Sequence, residues 1–153
     1  MVFGGGHVAQ ELIPILTQVH FTCYVYDDRP DFVTESLFPQ AAARILGSFE
    51  QIDQYVDLQE CDYAVVMTRG HSYDYIVQKQ LHRRPLAYLG IIGSRKKMAT
   101  VFERLREDGI SQDQLATVYT PIGLPIKAET PAEIAVSIAA EMIRVRAERK
   151  ERS

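Results

Sequence analysis

Three glycine-containing turns carry the residue types that could do chemistry in this chain. The first is Gly4-Gly5-Gly6-His7-Val8-Ala9, a G-x-G-x-x-A pattern. Gly4 permits a tight turn, Gly6 lets a pyrophosphate approach the backbone, and Ala9 allows helix and strand to pack closely. A helix opening at His7 would add free amides and a positive dipole end. The acid that this motif needs about 20 residues later is present as Asp27 or Asp28, closing a second apolar run. A carboxylate there accepts from ribose hydroxyls and repels a 2′-phosphate.

The second stretch is Thr68-Arg69-Gly70-His71-Ser72-Tyr73-Asp74. Arg69 and His71 are placed to meet an anion, and Asp74 either orients the imidazole or caps a helix. The third, Gly93-Ser94-Arg95-Lys96-Lys97, sets a hydroxyl and a guanidinium at a helix start, a competent anion site. Three consecutive cations there oppose the dipole, so something other than helix stability favours them. Pro121-Ile122-Gly123-Leu124 reads as a rigid turn beside the same edge, either a plain crossover or a ligand lid. No serine elbow or Cys–His pair proposes a nucleophile, and Cys23 and Cys61 make no metal cluster, so neither a catalytic residue nor a metal site is assigned.

The elements that must position these turns recur as a short apolar run, a turn signal and a helical pattern. Strand candidates are 1–3, 21–26, 42–46, 63–67, 87–92 and the short 118–119. Helices follow at His7–Gln18, after Gly70 to about His82, after Ser94 to about Asp108, and from Thr130 into the tail. Pro14 should kink the first helix, because it removes a backbone donor. Thr130-Pro131-Ala132-Glu133 is a capping box with proline at the first helical position. Strands alternating with helices predict an α/β, doubly wound, mostly parallel sheet covered on both faces, with the first strand truncated.

A length of 153 residues fits a single domain, 1–153, with a real core. The net charge of −3 hides an asymmetry. Residues 1–82 carry 4 Lys and Arg against 11 Asp and Glu, while residues 83–153 carry 13 against 9. The acidic front half argues against a nucleic-acid stripe. The two cysteines suggest a reducing, cytoplasmic setting, and no run approaches the roughly 18 apolar residues of a membrane span.

Taken in order, the Gly4–Val8, Val25–Pro30, Thr68–Asp74, Tyr88–Lys97, Pro121–Leu124 and Thr130–Ile138 pieces resemble the C-terminal domain of the xanthine dehydrogenase accessory (XdhC/CoxI) proteins. The resemblance implies a Rossmann-like domain without the family's usual N-terminal region. It implies a chaperone that binds molybdenum cofactor (molybdopterin) and delivers it to a xanthine dehydrogenase-type molybdenum hydroxylase, with a possible sulfur-transfer partner. On that reading the pterin phosphate sits on Gly4, Gly5, Gly6 and His7, near Asp27 and Asp28. Arg69, Gly70 and His71, with Gly93, Ser94, Arg95 and Lys96, hold the remaining anionic groups. The competing readings are an NAD(P)-dependent oxidoreductase using the same turn and a non-catalytic interaction module. Self-association is expected, since a short first strand leaves ladder groups open to pairing.

Overall fold

A computed structural model describes residues 1–153, apart from the side chain of His71. The chain runs β1 (Val2–Phe3), α1 (His7–Gln18), β2 (Tyr24–Asp27), β3 (Ala43–Leu46), β4 (Tyr63–Val66), α2 (His71–Leu81), β5 (Tyr88–Ile91), α3 (Arg95–Glu107), α4 (Gln112–Ala116) and α5 (Pro131–Arg152). Short 3-10 turns occupy Pro30–Phe32 and Phe49–Gln54. The strands form one parallel sheet in the order β3-β2-β1-β4-β5, the doubly wound arrangement expected.

Brief as it is, β1 lies at the centre of the sheet. Val2 is in register with Val25 and Val65, and Phe3 with Tyr26 and Val66. Its two side chains point to opposite faces, as the strand period requires. Val2 joins the core beneath α1 and α5, with Leu12, Leu16, Ile138 and Met142. Phe3 joins the core on the other face, with Tyr26, Phe49, Val77, Val101 and Leu105. Both strand neighbours of β1 are buried, so burial on two sides explains the near-continuous apolar runs.

Several boundaries differ from the sequence reading. β2 starts at Tyr24 rather than at 21, because 19–23 complete the exit from α1, with Phe21 N–H donating to Leu16 O and His20 at φ 72°. The sixth strand reduces to a single bridge, Gly90 to Tyr119. α1 continues through Pro14. The start of α5 is as expected. Thr130 Oγ1 accepts from Glu133 N–H at 3.1 Å, and the Glu133 carboxylate accepts from Thr130 N–H at 3.1 Å. Among the described residues, no helix is long and apolar enough to cross a membrane.

Candidate functional site

The glycine turn is crowded by protein on one side and open on the other. A side chain on Gly4, at φ +107°, would collide with the Met67 carbonyl, and one on Gly5 would collide with the Phe32 carbonyl. Gly6 is different: nothing lies within 4 Å of where its Cβ would be. Gly6 is also the N-cap of α1 and supplies no side-chain cap, so the first amides of the helix meet no side-chain acceptor there. The first two glycines therefore serve the close approach of β1 to the loops after β2 and β4, and the third leaves space.

Asp27 and Asp28 lie beside this turn, and they do different things. Asp27 is fully buried. Its Oδ2 accepts from the Gly5 amide at 2.9 Å and from Arg29 Nη2 at 2.9 Å. Its Oδ1 accepts from the Arg29 amide at 3.0 Å and from Arg29 Nε at 2.9 Å. Burial pushes this carboxyl up, but the Arg29 side chain and the Gly5 and Arg29 amides outweigh it and hold it below its ordinary value. Asp28 turns outward and pairs with Arg69 through both of its oxygens. Arg69 also reaches toward Asp27, with Nη1 at 3.7 Å from Oδ1.

Both guanidiniums rest on aromatic rings. Arg29 lies 3.7 Å over the centroid of Phe32, and Arg69 lies 4.8 Å over Tyr73 and donates to its hydroxyl at 3.3 Å. Thr68, after β4, donates to Asp74 in the first turn of α2. The structure thus brings the glycine turn, Asp27, Asp28 and Arg69 together at the carboxyl ends of β1, β2 and β4. This is the switch point where sheets of this order bind ligands. Gly70 precedes α2 at φ +138° with open space at its Cβ position, and His71 opens the helix, its side chain lying outside what is described.

The third expected stretch follows β5, the neighbour of β4. Ser94 caps α3, its Oγ accepting from Lys97 N–H at 3.3 Å, and Arg95, Lys96 and Lys97 are exposed. Among the described residues, no hydrogen bond or ion pair ties Gly93–Lys97 to the glycine turn, since β5 is the outer strand beyond β4. Pro121–Leu124 packs against the same outer part of the sheet, with Ile122 against Gly90. Its Gly123 amide donates to the buried Glu141 at 3.1 Å, and the Tyr88 hydroxyl donates to the same oxygen at 2.7 Å.

The roles of Arg29, Phe32 and Tyr73 were not evident from the sequence. Arg29 had a local signal: it stands two residues after Asp27, the spacing that keeps two side chains on one side of extended chain. Cavities of about 630 and 940 Å³ open near the amino ends of the strands, and neither is lined by the glycine turn. The glycine turn, Asp27, Asp28 and Arg69 lie at the opposite edge, at the carboxyl ends of the strands.

Parallel topology, the glycine turn and an acid at the end of β2 define a Rossmann-type domain. Residues 1–142 match the XdhC Rossmann domain, and the chain belongs to that family. It is 32% identical over 146 residues to a probable xanthine dehydrogenase subunit of Bacillus subtilis, covering 95% of this chain and 42% of that protein. It is 28% identical over 147 residues to the uncharacterized protein YqeB of Escherichia coli, covering 95% of this chain and 27% of that one. The crystal structure of a xanthine dehydrogenase from Bacillus halodurans superposes with a TM-score of 0.84 at 30% identity, over 99% of this chain and 43% of that chain. The chain thus spans less than half the length of these relatives.

Proposed function

We propose that this domain is the cofactor-holding part of an accessory protein for a xanthine dehydrogenase-type molybdenum hydroxylase, and that molybdenum cofactor is its cargo. The observation that carries this is the asymmetry of the glycine turn. Gly4 and Gly5 are closed in by backbone, while Gly6 faces open space at the uncapped start of α1. A phosphate there accepts from backbone amides and gains from the helix dipole. The names of the relatives point to xanthine dehydrogenase as the client.

In this reading Gly6 and His7 hold the pterin phosphate through their amides, and Arg69 supplies charge from the β4 side. Asp27 fixes the turn from beneath through the Gly5 amide. The cargo brings the redox centre to the client enzyme. This chain's residues bind and orient it, and none is assigned a step of chemistry.

The test is native mass spectrometry of the chain purified from a cofactor-replete cell, alongside Gly6→Val. A pterin that travels with the wild type and is reduced at least tenfold in the folded variant supports the assignment. A wild type carrying no pterin, or a variant carrying as much, overturns it.

A further inference from the structure

In dinucleotide-binding sheets the acid at the end of β2 takes a ribose hydroxyl. That role is closed to Asp27. It is fully buried, and each oxygen already accepts two hydrogen bonds from Gly5 and Arg29. Asp28 is the other acid at this position, and both of its oxygens are held by Arg69. The acceptors are therefore turned inward, toward the protein's own arginines.

What remains beside the turn is a set of donors. Arg29 gives Nε and Nη2 to Asp27, which leaves its Nη1 without a hydrogen-bond acceptor among the described residues. Arg69 gives Nη1 and Nη2 to Asp28 and Tyr73, which leaves its Nε without a hydrogen-bond acceptor among the described residues. A guanidinium has five N–H donors, so neither group is spent. They rest on the rings of Phe32 and Tyr73, Arg29 held by the buried Asp27 and Arg69 by Asp28. The loop carrying Arg29 is pressed against the turn, with the Phe32 carbonyl at the place a Gly5 side chain would need.

We infer that Arg29, held by Asp27, and Arg69, held by Asp28, form a phosphate-reading subsite beside the glycine turn. It selects a ligand with a phosphate or diphosphate group at this end and disfavours one that offers only a ribose diol. The inference rests on the reading that the glycine turn holds a phosphate, and it identifies Arg29 as a binding residue and Asp27 as a positioning residue. The phosphate can come from a pterin diphosphate or from the 2′-phosphate of NADP, and the probes below separate these from NAD.

Calorimetric titrations of the chain with inorganic pyrophosphate, NAD+ and NADP+ test it, with Arg29→Gln, Arg69→Gln and Gly6→Val as variants. Pyrophosphate is expected to bind the wild type, and each arginine variant is expected to bind it at least tenfold more weakly with a shallower salt dependence. NAD+ is expected to bind at least tenfold more weakly than NADP+. Arg29→Gln leaves Asp27 without its main partner, so if that variant does not fold, Arg69→Gln carries the test from a side chain 37% exposed. Pyrophosphate binding that is lost in Gly6→Val but unchanged in the arginine variants overturns the subsite and leaves the phosphate reading standing. NAD+ binding as tight as NADP+ also overturns it. A wild type that binds no pyrophosphate removes the phosphate reading and the subsite together.

Discussion

At the residue scale, the three glycines of one turn answer to different constraints, and mutation should separate them. Gly4→Ala and Gly5→Ala push a methyl group into backbone and should each lower stability by about 1–3 kcal/mol, the usual range for overpacking. Gly6→Ala meets no atom and should cost less than about 1 kcal/mol. Urea melts of the three variants give the comparison, and a Gly6→Ala as damaging as Gly5→Ala would contradict the open-sided turn. Two ionisable groups contribute to the pH profile in separate windows. The Asp27 carboxyl is held below its ordinary value, so its stabilisation is complete above about pH 4 and is lost as pH falls through the folded value. His82 works in a higher window. Burial lowers its pKa below 6.5, so the unfolded chain takes up the proton first and stability declines as pH drops below about 6.5. Melting temperature followed from pH 7.5 to 5 should fall in the wild type and stay flatter in His82→Gln.

At the element scale, α3 opens on three cations that its own dipole disfavours. Replacing Arg95, Lys96 and Lys97 by Gln should leave stability unchanged or raise it by a few tenths of a kcal/mol per residue. The same triple variant should weaken pterin-cofactor binding and its salt dependence if these groups serve an anion. Unchanged affinity would mean that they are simply solvated. Thr130→Ala, which removes the cap of α5, should cost about 1 kcal/mol in a thermal melt. The alternation of strand and helix was legible because period and turn residues are local signals, and so was the Thr130–Glu133 box. The turn at Phe49–Gln54 was not. Gln80 holds it from α2, accepting from Ile52 N–H at 2.9 Å and donating to Phe49 O at 2.7 Å, a tie that no local pattern announces. The same divide runs through the site. The register of Asp27 with the glycine turn could be read from spacing. Its burial, and the pairing of Arg69 with Asp28 across 41 positions, depend on β1 lying between β2 and β4.

At the scale of the whole molecule, two apolar layers share one sheet, α1 and α5 on one face and α2, α3 and the 49–54 turn on the other. Each layer leans on strands whose alternate residues belong to the other. We therefore expect one cooperative transition for the chain. Ile138→Ala on one face and Leu105→Ala on the other should each lose about 2–5 kcal/mol within that single transition. Two separable transitions in calorimetry would show that the faces unfold independently. The loop at Pro121–Leu124 is tied to α5 by Leu124 N–H, which donates to Ser137 O at 3.1 Å, and by one buried carboxylate oxygen, that of Glu141, shared by the Gly123 amide and the Tyr88 hydroxyl. That amide is consequently a clock. It can trade its hydrogen for deuterium only when the loop lifts from the helix, so its exchange rate times that separation alone. Tyr88→Phe, which removes the second donor from the same oxygen, would show whether the hydroxyl slows or hastens the opening.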